Sequence, residues 1–392
     1  MKRNKLMAAA LFLVMVLSVA LTGCGGQSSS SGDTIKIGVN YELTGGAADY
    51  GTTAKDAILL AFDEINAAGG VNGKKLEAIV LDNKSDATEA MSVATKLITQ
   101  EGVVAHLGPA TTGATLNTIP VATEYKVPLI TNSATNPDVT VDPQTKETRT
   151  YVFRTCFIDP PQAVVAADFA IHDLGVKKVA VYYDNSNDYS KGLYQVFKEN
   201  ITALGGQVVA EEGYVDADEE FRPTLTKFKQ AGAELIYVPG YYNKVAKIIS
   251  QARELGIDVP FLGADGWDSP VLVEVAGAEA LNNTFFTNHY SPQDPDERVQ
   301  SFVNAYKERY GSVPASFSAT AYDAAYLLAD AIKRAGSTDP EAITKALAET
   351  KDFEGITGKF SFDEQHNPVK EISIIEMKNG EQTLRTKIAP SN

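Results

Sequence analysis

Cysteine is nearly missing from this chain: Cys24 and Cys156 are the only two in 392 residues. Histidine is almost as sparse, and His106, His172, His289 and His366 stand without metal-ligand spacing. There is no Walker loop, no Gly-x-Ser-x-Gly elbow and no Cys-x-x-Cys pair. Thr52 precedes Lys55 and Thr224 precedes Lys227 by three residues, a spacing too common to mark a nucleophile and its base. Asp82-Asn83-Lys84-Ser85-Asp86 lacks the spacing and terminal Glu of a Ca²⁺ loop and reads as a solvated turn. No enzyme class, metal or cofactor is indicated. Basic charge is also short. With 35 Lys and Arg against 50 Asp and Glu, the net charge is −15, which argues against nucleic acid and against an electrostatic membrane surface.

Long apolar runs are absent except at the N-terminus. Lys2, Arg3 and Lys5 precede an apolar stretch from Leu6 to Leu21, the layout of an export signal and not of a domain element. The ending Leu21-Thr22-Gly23-Cys24 resembles a bacterial lipobox, which implies cleavage after residue 23 and lipidation of Cys24. Residues 24–33 then read as a flexible tether, reaching roughly 15 Å for about eight residues. Once Cys24 is modified only Cys156 remains, so no intrachain disulfide is expected. The rest of the chain is too long for one ordinary core, so two lobes are expected.

Strand and helix patterns alternate, the mark of a parallel sheet with crossover helices. Thr34–Val39 reads as a buried strand. A loop to Tyr50 and an amphipathic helix from Gly51 to Ala68-Gly69-Gly70 follow, then strand Lys75–Leu81 and helix Asp86–Gln100. Between Gly102 and Pro137, the apolar runs Val103–Leu107 and Val127–Ile130 each stop at a small-polar cluster, with a helix-length segment Thr111–Tyr125 between them. Ligands bind at that edge of open α/β sheets, and a helix starting at Thr111 or Thr112 aims free N–H groups at a small anion.

The rhythm breaks over Asp138–Thr150 and resumes with helix Pro161–Leu174, strand Lys178–Tyr183, helix Ser190–Leu204, strand Gln207–Tyr214, helix Phe221–Ala231, strand Leu235–Pro239, helix Tyr242–Leu255 and strand Pro260–Gly263. Residues 36–81 and 178–209 form a weak repeat, each with strand, loop, tyrosine (Tyr50, Tyr189), helix, Gly-Gly and strand. Two lobes of like design would bring those tyrosines to a cleft from opposite sides. Thr284–Asn288 reads as an extended link, followed by helices Asp296–Tyr310, Ser318–Ala335 and Pro340–Glu349. Antiparallel strands are expected around Gly358–Asp363, Glu371–Lys378 and Thr383–Ile388.

The loops after strands offer Tyr50, Thr111, Thr112, Ser133, Thr135, Tyr189, Tyr241, Tyr242, Asp265 and Trp267. Hydroxyls and backbone N–H groups suit a carboxylate. A lone Asp265 beside aromatics suits an ammonium, through charge-assisted hydrogen bonds and cation–π attraction. Together they complement an α-amino acid.

Across residues 34–388 the chain resembles the leucine–isoleucine–valine-binding group of periplasmic binding proteins. The resemblance rests on IKIGVNYELTGGAADYG, AFDEINAAGGVNGKKLEAIVLDN, HLGPATTGATL, PLITNSATNP, YVFRT, DNSNDYSKG, VPGYY and FLGADGW. It implies an α/β fold of two Rossmann-like lobes joined by a three-crossover hinge. Lobe 1 would comprise 34–155 and 288–358, and lobe 2 would comprise 156–287 and 359–388. It further implies an extracytoplasmic substrate-binding lipoprotein, monomeric, serving a membrane ABC permease and binding an amino acid by hinge closure. The ligand carboxylate would meet Thr111, Thr112 and Thr135; its amine would meet the Ser133 carbonyl, Asp265 and Tyr241; Tyr50 and Tyr189 would cap the site. Threonines replace serines of better-known members, Asp265 replaces a Glu, and Trp267 adds bulk nearby, so the side chain bound is left open between aliphatic and aromatic. A sensing lipoprotein, or a binder of another carboxylate or amide, is the alternative. A secreted hydrolase is disfavoured by the missing catalytic constellation.

Overall fold

The computed structural model describes residues 34–389; the expected signal segment, Cys24 and the tether lie outside the described residues. β1 (Thr34–Tyr41), α1 (Ala48–Ala67), β2 (Lys75–Asp82), α2 (Ala87–Lys96), β3 (Ala105–Leu107), α3 (Thr112–Tyr125), β4 (Leu129–Thr131) and β5 (Val152–Arg154) alternate along the chain. Their sheet has the order β2-β1-β3-β4-β5. The apolar stripe of α1 (Ala54, Ala57, Ile58, Ala61, Phe62, Ile65) is buried against it, as a helical period facing a sheet requires.

The chain then builds a second sheet through α4 (Asp159–Asp168), β6 (Lys178–Asp184), α5 (Asp188–Ala203), β7 (Gln207–Tyr214), α6 (Arg222–Gln230), β8 (Leu235–Tyr237), α7 (Tyr242–Glu254), β9 (Phe261–Gly263), α8 (Pro270–Ala276) and β10 (Thr284–Asn288). α9 (Glu297–Tyr310), α10 (Ser316–Ala335) and α11 (Pro340–Ala348) follow, with α10 packed along α1. β11 (Phe353–Gly355) and β12 (Gly358–Phe360) make a small hairpin, and β13 (Ile372–Lys378) and β14 (Glu381–Ile388) complete the second sheet. Its order is β14-β13-β10-β9-β8-β6-β7. The segment β7-β6-β8-β9-β10 therefore repeats the order β2-β1-β3-β4-β5. The chain passes between sheets three times, through 155–158, 289–296 and 361–371.

Several expectations shift. Thr284–Asn288 is no link but a wholly buried strand, parallel to β9 and antiparallel to β13. Gly358–Phe360 pairs with β11 and not with the final strands. Residues 359–367, expected in the second lobe, pack on the first: His366 stacks on Phe153 at 4.3 Å, and Thr140 Oγ1 donates to Asn367 at 2.9 Å. Asn288, expected in the first, ends β10 opposite Ser373. The helices α1 and α5 start early enough to place Tyr50 and Tyr189 in their first turns. Asn187 allows this in α5 by accepting the Tyr189 N–H at 3.0 Å, an N-cap. The Asp82 turn is tied to the loop after β1, its carboxylate accepting from the N–H groups of Leu43, Thr44 and Lys84.

Candidate functional site

The equal strand orders place two switch points, β1/β3 and β6/β8, where crevices open at strand C-termini. On the first, the loop after β3 turns sharply. Gly108 has φ +84°, and a Cβ there would collide with the Asn40 carbonyl, so glycine is required. Buried Glu42, just past β1, accepts from Ala110 N at 3.1 Å, Thr111 N at 3.0 Å and Thr111 Oγ1 at 2.7 Å. Thr111 is thus tied inward. Thr112, the first residue of α3, is buried, and its Oγ1 has no hydrogen-bond partner among the described residues. After β4, Ser133 Oγ donates to the Ala110 carbonyl at 3.0 Å, while Thr135 Oγ1 is buried with no hydrogen-bond partner within normal geometry among the described residues. Arg154 stiffens this loop from beneath, donating to the carbonyls of Ala134 (2.7 Å) and Asn136 (2.9 Å).

On the second sheet, Asp265 opens a one-turn helix after β9 and is 0% exposed. Its Oδ1 accepts from Tyr189 Oη at 2.7 Å and Gln162 Nε2 at 3.2 Å, and its Oδ2 lies 2.9 Å from His289 Nε2. Both expected capping tyrosines meet the backbone of one residue, Gly266. Tyr50 Oη, from the first lobe, donates to the Gly266 carbonyl, and the Gly266 N–H donates to Tyr189 Oη at 3.0 Å. A Cβ on Gly266 would lie 2.9 Å from that hydroxyl and from the Gly240 carbonyl, so the approach needs glycine. Tyr241 stacks on Tyr189 (5.2 Å between centroids) and meets the edge of Tyr50 at 5.6 Å. The lobes are closed on each other here: Asp49 N donates to Tyr242 Oη at 3.3 Å, and Asn136 Nδ2 to the Asp188 carbonyl at 3.1 Å.

Burial governs the charges. Asp159, at the start of α4, is pushed up to about 8 by desolvation, with the Asp265 carboxylate adding to the effect. The desolvated carboxyl thus favours its neutral form. Gln162 Nε2 bridges the two acids, 3.1 Å from Asp159 Oδ1 and 3.2 Å from Asp265 Oδ1, while its Oε1 accepts from Thr287 at 2.8 Å. Burial also raises Glu42 and lowers His289 from their ordinary values.

Of the sequence-predicted residues, Tyr50, Tyr189, Tyr241 and Asp265 come together directly, and Thr112, Ser133 and Thr135 line the facing loops. Thr111 is engaged by Glu42, and Tyr242 packs behind Tyr50. Trp267 is a correction. Its Nε1 donates to the Val238 carbonyl at 2.9 Å, its ring rests against Gly263 and Phe286, and it is 0% exposed. It is core, where truncation costs about 3–5 kcal/mol, and adds no bulk to the site. Sequence reading missed Glu42, Asp159, Gln162, His289 and Phe317. Glu42, Asp159 and His289 lie just beyond strands or apolar runs, a signal shared with ordinary turn residues, and Gln162 and Phe317 carry no local signal at all.

The family model for periplasmic binding proteins matches residues 34–382. A Pseudomonas aeruginosa protein named as binding leucine, isoleucine, valine, threonine and alanine is 30% identical over 367 residues, covering 93% of this chain and 94% of that one. The Streptococcus pneumoniae branched-chain amino acid binding protein LivJ, solved with isoleucine, is 41% identical, with TM-score 0.85 over 91% of this chain and all of that one. The leucine-binding protein LivK of Thermotoga maritima is 37% identical, with TM-score 0.85 over 91% of this chain and 99% of that one. With two like lobes, three crossovers and a family match over nearly the whole described chain, the protein belongs to the periplasmic binding proteins.

Proposed function

We propose that this chain is the substrate-binding lipoprotein of an ABC importer, carrying an α-amino acid with an aliphatic or aromatic side chain. The observation that carries the reading is the polarity of the closed cleft. One side offers neutral hydroxyls and helix N–H groups; the other offers Asp265, fully buried and held by Tyr189, Gln162 and His289. A zwitterion matches that polarity with its carboxylate toward the first lobe and its ammonium toward the second. Thr112 and Thr135 would take the carboxylate, because their hydroxyls are free where that of Thr111 is not. Asp265 and the Ser133 carbonyl would take the amine, with Tyr50, Tyr189 and Tyr241 over it. Ligand would bind the first lobe in an open form, and hinge closure would complete the site.

The family places the chain outside the cytoplasm, and among the described residues no helix is long and apolar enough to cross a membrane. Lipidation at Cys24 would then hold it at the membrane beside a permease that reads the closed form. Domain limits near 155, 288 and 368 follow the three crossovers. Thermal shift against a panel of amino acids, carboxylates and amides tests the ligand class, since ligand at 100 times Kd adds about 2.7 kcal/mol. A shift from aromatic acids or amides with none from any amino acid would sink the amino-acid reading. A Cys24→Ser variant should lose lipid label and leave the membrane fraction.

A further inference from the structure

We propose that His289 is a specificity-determining residue that gives up a proton when a ligand ammonium arrives at Asp265. The inference rests on the proposed function, in which the amine meets Asp265. His289 is the first residue of the second crossover, and its side chain is 0% exposed in the closed molecule. Its ring faces three elements. Nε2 lies 2.9 Å from Asp265 Oδ2, one face rests on Phe157 of the first crossover at 3.8 Å, and Phe317 of α10 lies at 6.0 Å. The other nitrogen, Nδ1, is buried with no hydrogen-bond partner among the described residues.

That asymmetry fixes the closed-state form. The Nε2–H tautomer donates to Asp265, and a second proton on Nδ1 would be a buried N–H with no acceptor. Asp265 and His289 both follow strands of the second sheet, so they stay neighbours when the lobes part. Water then reaches the ring, and the adjacent carboxylate favours imidazolium. In the open form Asp265 is thus matched by its own histidine near pH 6. When an amino acid binds and the lobes close, the ammonium replaces that charge, the Nδ1 proton leaves to solvent, and neutral His289 keeps its bond to Asp265. A ligand without an amine cannot make this exchange and would bury an unmatched carboxylate. The other ionisable groups facing the ring are Lys370 and Asp268, with Asp159 reached through Gln162. Lys370 is itself held between the Thr155 carbonyl and Thr357. Asp159 acts with opposite sign, because its burial on closure takes up a proton.

The test is titration calorimetry with L-leucine in buffers of different ionisation heat, on the full chain, at pH 6 and pH 8. At pH 6, His289→Gln should differ from the unsubstituted protein by up to about one proton per ligand, toward uptake. The difference should vanish at pH 8, where the open-state ring is already neutral. Asp159→Asn should shift the count the other way, and His172→Gln, on an exposed helix face, should shift nothing. A merely structural role for His289 would weaken binding equally at both pH values with no change in proton count. Equal counts in His289→Gln and the unsubstituted protein at pH 6 overturn the inference alone. Failure of every amino acid to bind at pH 8 overturns the proposed function and this inference with it. Should His289→Gln fold poorly, ring-proton NMR of the four histidines decides: one resonance must titrate in the free protein and stop titrating with leucine bound.

Discussion

The two lobes are built on the same strand order, and each carries a buried carboxylate just beyond a sheet edge, yet the two acids do opposite things. Glu42 in the first lobe turns back into its own scaffold, where two backbone N–H groups and the Thr111 hydroxyl occupy it. Asp265 in the second is surrounded by side chains, Tyr189, Gln162 and His289, that hold it in the interlobe space. One acid shapes a loop, and the other supplies charge to the cleft. The scaffold sets where a ligand can sit; the loops set which end of it faces which lobe.

Breaking that asymmetry at Asp265 should have the largest effect. Asp265→Ala removes the carboxylate proposed to meet the ligand ammonium, and should weaken amino-acid binding by about 100-fold or more. Glu42→Gln should instead show mainly as a lower Tm, with a smaller loss of affinity, since one of its donors loses its acceptor. Calorimetric Kd values for the two variants decide: equal losses would mean that the acids are not distinguished as argued.

The next effect is on stability and separates Asp159 from Asp265. The folded-state pKa of Asp159 is raised to about 8. The folded form therefore binds more protons than the unfolded form between the ordinary carboxylate range and pH 8. Its stabilising contribution is full below that range and is lost as pH rises from about 4 to about 8. Lys370, lowered to about 8 by burial, acts with opposite sign only above that point. The fall in Tm across this window should be smaller by a few degrees in Asp159→Asn. An unchanged slope would mean that Asp159 is ionised in the folded protein.

Thr111 and Thr112 sharpen the comparison on the first lobe. Thr112→Val keeps the shape and removes a buried hydroxyl that has no other partner, so affinity should fall about five- to tenfold at unchanged Tm. Thr111→Val should lower Tm through Glu42 and change affinity less. The reverse pattern would exchange their roles.

How much of this the sequence discloses depends on range. Strand–helix alternation, the positions of β1 to β9 and the loop residues Tyr50, Ser133, Thr135, Tyr189 and Asp265 rest on local period and on strand ends, which a single chain displays. β10 reads as a link in the sequence because five wholly buried residues show no alternation, and its partner β13 lies almost 90 residues on. Two partners of Asp265 are not legible for the same reason, since Gln162 is 103 residues away and His289 is 24. The choice between Thr111 and Thr112 turns on Glu42, a contact across 69 residues. Trp267 was misplaced because a bulky residue two positions after a site acid reads equally well as core or as wall.

The smallest effect separates closing the site from building it. Tyr50 Oη reaches across the cleft to the Gly266 carbonyl, whereas Tyr189 Oη bonds Asp265 within the second lobe. Tyr50→Phe keeps the ring against Tyr241, Tyr242 and Phe317 and loses the hydrogen bond to the Gly266 carbonyl together with the longer one from the Tyr242 N–H at 3.4 Å, both made only when the lobes are shut. Such a bond contributes about 0.5–1.5 kcal/mol net, so dissociation should speed up by about three- to tenfold while association stays nearly constant. Tyr189→Phe removes a donor from Asp265 in open and closed forms alike, so it should alter the initial encounter too. The single tryptophan, Trp267, sits two residues from Asp265 and provides a stopped-flow fluorescence signal for both variants. A Tyr50→Phe variant that slowed association and left dissociation untouched would place Tyr50 in the open-state site and remove the distinction between a lobe that binds and a lobe that closes.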